Sequence, residues 1–148
     1  MKIFHYLQED QVFFLDITTK EEALKAMAAN TAAVRKLAHE DVFYQAIIER
    51  EKIVSTGIGM GVAIPHAKLA LFPEFFVSIG ILQKGVDWNA LDGAPVRLIF
   101  MIGGPDDKQT EYLQILSSLT MALRDENVRK EMLQATTGRE VIRLFEPY

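Results

Sequence analysis

Two stretches of this chain are apolar at nearly every position: Val77–Leu82, and Val96–Ile102 apart from Arg97. A strand with one face in water alternates, so unbroken runs of this length predict strands covered on both faces. Val12–Leu15 reads as a further short strand. Elsewhere the apolar period lengthens to that of a helix. Thr19 and Glu22 have capping-box spacing and open a segment to about Leu37, with Leu24, Met27, Thr31 and Val34 on one face. Phe43, Ala46 and Ile47 mark the buried stripe of a second helix, from about Asp41 to Arg50. Arg50 falls on that stripe one turn beyond Ile47, so the helix aims it inward. After Pro105 a helix is predicted from about Lys108 to Leu123; Asp125 can cap another, and Thr137 with Glu140 offers a second capping box. Gly85 and Asp92-Gly93 are expected as turns between the long strands. Strands interleaved with helices, then a helical tail, predict an α/β fold: a single-domain sandwich with a small mixed β-sheet flanked by helices.

Composition narrows the setting. At 148 residues, 49% hydrophobic and 24% charged, the chain can bury a real core as one domain, residues 1–148, and it shows no repeat or linker. A formal charge of −4 without a basic run argues against a nucleic-acid surface. The absence of cysteine excludes a disulfide framework and a thiolate metal site and suits a reducing compartment. Neither a signal-peptide core nor a stretch approaching about 20 apolar residues is present, so a cytoplasmic chain with no direct membrane insertion is expected.

The candidate chemistry lies in Ser55-Thr56-Gly57-Ile58-Gly59-Met60-Gly61-Val62-Ala63-Ile64-Pro65-His66. Three alternating glycines free the backbone to turn, and Pro65 fixes its own φ while disfavouring helix at Ile64. The segment therefore presents one imidazole from an extended approach. Imidazole can be a neutral nucleophile near pH 7 and then carry a transferred group. The glycines do not form GxGxxG, and no Gly-Lys-Ser/Thr follows, so no nucleotide site and no cofactor is expected. On the residues alone, a lone histidine such as His66 is more often structural than functional. Arg50 would equally complement the dipole at its helix's C-terminus, worth under about 1 kcal/mol when exposed.

Arg50-Glu51, Ser55-Thr56-Gly57-Ile58-Gly59 and Gly61-Val62-Ala63-Ile64-Pro65-His66 together resemble the phosphorylation motif of one family. These are the fructose/mannitol/nitrogen-type (type-2) enzyme IIA proteins of the phosphoenolpyruvate-dependent phosphotransferase system. The resemblance extends through Gly80 and the Asp87–Pro95 stretch into the helical C-terminal third. It implies the α/β fold just described and a phosphocarrier activity, a protein-histidine phosphotransferase. His66 would be the phosphorylated nucleophile and Arg50 the phosphate-stabilising residue. The donor would be a histidine phosphocarrier protein (HPr-like), and the acceptor an enzyme IIB domain or a regulatory target protein. The alternative is a regulatory binding module of the nitrogen type, whose His66 phosphorylation state switches partner binding.

Ser55 and Thr56 are expected to offer hydroxyls to the phosphate or the imidazole, with Thr56 favoured because the motif holds it; a loop-ending role is open for Ser55. Two positions depart from the family pattern. Met60 stands where relatives are often polar or acidic. Tyr112 stands in the helix where several sugar-type members carry a second histidine; it can hydrogen-bond a phosphate but cannot be a cationic partner at neutral pH, and packing on the helix's inner face is as plausible. His5 and His39 lack metal-ligand spacing to His66, so no metal site is expected. Leu69, Leu71, Phe72, Pro73, Phe75 and Phe76 crowd after His66; Phe75 or Phe76 should be core, and any left exposed would form an apolar docking rim.

Overall fold

The computed structural model describes residues 2–148, and its elements follow the changes of period along the chain. In order they are β1 (Val12–Leu15), α1 (Lys20–Arg35), α2 (Glu40–Ile53), β2 (Gly57–Gly59), β3 (Val62–Ala63), β4 (His66–Lys68), β5 (Phe76–Val86), β6 (Val96–Gly104), α3 (Gln109–Leu123), α4 (Glu126–Gln134) and α5 (Gly138–Arg143). The sheet is mixed and ordered β1-β5-β6-β3-β2, with β4 also on β6. β5 and β6 pair antiparallel, while β1 on β5 and both β3 and β4 on β6 run parallel.

Both faces of the central strands are covered, as their unbroken apolarity requires. Val77, Ile79, Ile81, Leu98, Phe100 and Ile102 pack with residues of α3, α4 and α5. Phe76, Leu82, Ile99 and Met101 pack on the other side with Leu24, Met27, Phe43 and Ile47 of α1 and α2. Ser78, the hydroxyl within the first apolar run, is fully buried and satisfied by Thr31 Oγ1 at 2.7 Å and Gln11 Nε2 at 3.1 Å. A buried hydroxyl without partners would cost roughly 1–3 kcal/mol.

The caps at Thr19, Asp125 and Thr137 form, each side-chain oxygen accepting a first-turn backbone N–H. Three boundaries differ from the sequence expectation. α1 stops at Arg35 because Lys36 turns left-handed (φ 55°) and Leu37 N–H bonds back to Ala32 O. α2 runs three residues past Arg50, which brings Glu51 into its last turn. Gly85 lies inside β5 rather than at a turn, since Val86 still pairs with Val96 beyond an irregularity in the register. A Cβ at Gly85 would press on the Pro95 ring, so the close approach needs glycine there.

β3 and β4 lie end to end along β6, with Val62 opposite Leu98 and His66 opposite Ile102. Pro65 has no N–H for the ladder, but its carbonyl accepts from Ile102 N–H at 2.9 Å. His66 is thus anchored beside the middle of the sheet. Further along β6, a Cβ on Gly104 would overlap the Phe75 ring. Gly104→Ala should therefore destabilise the fold by about 1–3 kcal/mol, read as a lower denaturant midpoint at unchanged slope.

Candidate functional site

His66 opens β4 half-buried, and its Nδ1 lies 3.0 Å from the carbonyl oxygen of Ile64. A carbonyl only accepts, so Nδ1 carries the proton and Nε2 keeps the lone pair. Burial pushes the ring's pKa below its ordinary value; the Ile64 carbonyl opposes this, and the charges of Arg50 and then Lys68 depress it further. The ring is therefore neutral at pH 7. Any reaction that uses Nε2 as a nucleophile should slow as acid protonates it, with a midpoint below the ordinary histidine value of about 6.5. An NMR titration of the His66 ring from pH 5 to 8 checks this. A midpoint at or above 6.5 would contradict the buried, cation-flanked setting.

Two concavities meet at the imidazole. One, of about 470 Å³, is lined by Arg50, Ser55, Thr56, His66, Tyr112 and an apolar wall that includes Ile58, Leu113 and Leu116. The other, of about 520 Å³, is lined by Arg50, Ile53, His66 and Lys68 among others. All five residues singled out from the sequence thus border the first cleft, and Arg50 and His66 border both. Arg50 sits on the last turns of α2, where Nη1 donates to Val54 O at 3.0 Å. The rest of its donor fork makes no bond to described residues, which suits it to an arriving anion.

The hydroxyls of Ser55 and Thr56 are not aimed as the sequence reading expected. Ser55 Oγ donates to Trp88 O at 2.6 Å, and Thr56 Oγ1 donates to Glu51 Oε1 while accepting from Trp88 Nε1 at 3.3 Å. Each proton is already committed, so neither hydroxyl is free to donate to a phosphate or to the imidazole. The physical reason is the buried Glu51 carboxylate, which must be satisfied: it also accepts from Thr56 N–H at 2.8 Å and pairs with Lys20 at 2.8 Å. Sequence reasoning quoted Glu51 within the motif and gave it no role.

Tyr112 is buried on α3, its ring centroid 5.5 Å from that of His66 and stacked on Phe75. Burial raises the phenol's pKa, opposed by Arg50, so it stays neutral. The Lys68 ammonium lies 4.4 Å above this ring and donates to Gln109 Oε1 at 2.6 Å. Lys68 is a second cation at the site that the sequence reading missed. Strand alternation could have found it, since residues two apart share a face.

Phe72, Phe75 and Phe76 are all core, and of the six residues from Leu69 to Phe76 expected to crowd there, Leu71, Pro73 and partly Leu69 reach solvent. The apolar rim comes instead from Ile53, 78% exposed on α2, and Leu113, 53% exposed on α3, which line the two clefts. Met60 is also exposed, held at φ +61° between Gly59 (φ +99°) and Gly61 (φ +75°), with its N–H bonded to Asp92 Oδ2 at 3.1 Å. Three successive left-handed residues make the tight β2–β3 turn, and Met60 is the one with a Cβ to strain there. His5 and His39 are exposed and border neither cleft. No helix among the described residues is long and apolar enough to cross a membrane.

Comparison with known proteins shows the family and the fold. The chain is 34% identical over 123 residues to the PTS system fructose-specific EIIA component of Haloferax volcanii, covering 83% of this chain and 80% of that protein. It is 35% identical over 129 residues to the PTS system fructose-specific EIIABC component of Bacillus subtilis; that match covers 87% of this chain but only 20% of the longer protein. Among solved structures, the nitrogen regulatory protein IIA-Ntr of Neisseria meningitidis superposes with a TM-score of 0.88 at 28% identity, covering 97% of this chain and 98% of that one. Enzyme IIAMTL of Escherichia coli, solved in complex with phosphorylated enzyme IIBMTL, matches with a TM-score of 0.81 at 25% identity, over 96% of this chain and 98% of that one. The family model described as phosphoenolpyruvate-dependent sugar phosphotransferase system, EIIA 2, matches residues 5–147, and on that near-complete match the chain belongs to this EIIA family.

Proposed function

We propose that the chain is a cytoplasmic phosphocarrier that accepts a phosphoryl group on Nε2 of His66 from a histidine phosphocarrier protein and passes it to an enzyme IIB domain. The observation that carries this is the ring itself: Nδ1–H is spent on the Ile64 carbonyl, so the lone pair of Nε2 is the free one, beside the open fork of Arg50. In the forward step the Nε2 lone pair attacks phosphorus, the new N–P bond forms, and the donor's N–P bond breaks. The donor ring takes back its electron pair. One phosphoryl group has moved, and no metal or nucleotide is required by the balance.

With both nitrogens substituted the His66 ring carries a formal positive charge, and the bond from Nδ1–H to Ile64 O becomes charge-assisted. Phosphoryl transfer has a loose transition state, so positioning and charge stabilisation do most of the work. Arg50 would supply two aligned donors to the equatorial oxygens, with the Lys68 ammonium close by. Delivery to the acceptor reverses these events, the electron pair returning to Nε2. Ile53 and Leu113 would flank the docked proteins as apolar contacts. The partner assignment draws support from the E. coli relative solved with phosphorylated enzyme IIBMTL.

A regulatory use of the same phosphohistidine is the second reading, favoured by the likeness to a nitrogen regulatory IIA protein and by a neutral Tyr112 beside the ring. Phosphorylation adds about −1.5 to −2 charge to a chain already at −4, which alters what can dock. The test incubates the chain with phosphoenolpyruvate, enzyme I and the phosphocarrier, then offers candidate IIB domains. Rapid loss of label to a IIB domain supports carriage. A stable phosphoprotein that retains a protein the unmodified chain does not retain favours regulation, and no labelling at all defeats both.

A further inference from the structure

Glu51 follows Arg50 in the motif, and the phosphoryl chemistry above leaves its buried carboxylate without a task. We propose that Glu51 is a positioning residue that fixes His66 relative to Arg50 through the Thr56 peptide; this rests on the phosphocarrier reading. Both carboxylate oxygens clamp one residue, Oε2 accepting from Thr56 N–H at 2.8 Å and Oε1 from Thr56 Oγ1. The carbonyl of Thr56 accepts from Ile64 N–H at 3.0 Å. The carbonyl of Ile64 in turn accepts from Nδ1–H of His66 at 3.0 Å. Three consecutive hydrogen-bonded steps therefore lead from the last turn of α2 to the imidazole.

The same turn grips the neighbouring loop a second time, where Arg50 Nη1 meets Val54 O at 3.0 Å. Residues 50 and 51 thus tie down positions 54 and 56, and the nucleophile and its guanidinium share one frame. Lys20 from the start of α1 balances the carboxylate at 2.8 Å, and Trp88 Nε1 completes the Thr56 hydroxyl. With its donor and acceptor sides both engaged, that hydroxyl is held to one rotamer. An apolar side chain would fill this space at less desolvation cost, but it could not grip the Thr56 peptide. The gain is orientation: Nδ1–H stays on Ile64, which leaves Nε2 as the free nitrogen of a ring that shares both clefts with Arg50. In a reaction governed by positioning, a misplacement of about 1 Å costs on the order of a hundredfold in rate.

The double variant Lys20→Met with Glu51→Leu removes both buried charges together and leaves neither unpaired. The result expected is a folded protein whose His66 ¹⁵N resonances move from the Nδ1–H form toward a mixture of tautomers. Its phosphoryl transfer should be about tenfold to a hundredfold slower, with KM for the donor phosphocarrier unchanged. Glu51→Gln, whose side-chain oxygen still accepts from Thr56 N–H, should restore most of the rate. If the double variant does not fold, Thr56→Val keeps the shape and the backbone N–H bond to Glu51, removes the hydroxyl half of the clamp, and should show the same tautomer shift to a smaller extent. A folded double variant with the wild-type ring resonances or the wild-type transfer rate, or a folded Thr56→Val with the wild-type ring resonances, overturns the proposal. If wild-type protein takes up no phosphate, the phosphocarrier reading falls, while the ring resonances still decide whether Glu51 orients His66.

Discussion

His66→Ala is expected to abolish phosphate uptake altogether. In the wild type, phosphoenolpyruvate, enzyme I and the phosphocarrier should load one phosphate that is labile in acid and stable in base, as a phosphoramidate is. Among the side chains of the two clefts His66 is the imidazole, the group that is a neutral nucleophile near pH 7; Tyr112 is a buried phenol with a raised pKa, and the Ser55 and Thr56 hydroxyls are engaged with Trp88 and Glu51. His5 and His39 are exposed and lie outside both clefts. The substitution should leave the fold intact, because the imidazole is half-buried and its one hydrogen bond is to a carbonyl within its own segment. Intact-protein mass spectrometry reads the gain of one phosphate in the wild type and none in the variant. Label that persists in His66→Ala, or appears on His5 or His39, rejects the assignment.

Arg50→Ala should slow transfer by on the order of 10²–10³, the typical worth of one preorganised donor to a developing oxyanion. Arg50→Lys should recover only part, since a point charge cannot reproduce the planar fork. A second readout separates this from mere damage to the helix end. The Arg50 charge holds the His66 pKa down, so its removal should move the ring's NMR titration midpoint upward toward the ordinary value. The sign follows from the protonated ring being the cation that Arg50 repels. Native-rate transfer by Arg50→Ala would reduce Arg50 to a residue that caps its own helix through Val54 O.

The legible parts of the fold were those with strong local patterns. The apolar runs lie in β5 and β6, and the threonine and aspartate caps form because each needs only a side chain and a nearby backbone N–H. The Ile47-to-Arg50 stripe correctly brought the guanidinium to the side of α2 that borders His66. The short strands β2, β3 and β4 had no such signal. They hold only two or three residues each and exist because β6 offers a partner edge. Gly85 looked like a turn by composition and became strand because Val86 pairs with Val96.

By itself the sequence determined the α/β class, the doubly covered central strands, and a motif that ends in one imidazole with an arginine a turn beyond the core. These follow from period, capping and chain stiffness, which act between residues close in sequence. Only the tertiary structure decided which ring nitrogen is free, where the Ser55 and Thr56 hydroxyls point, and that Lys68 and Glu51 belong to the site. Each of those depends on a buried polar group finding its partner. Partners such as Trp88 for Ser55, Lys20 for Glu51 and Gln109 for Lys68 are more than 30 residues away along the chain in every case. Burial makes such partners compulsory, and only the folded packing determines which ones are within reach.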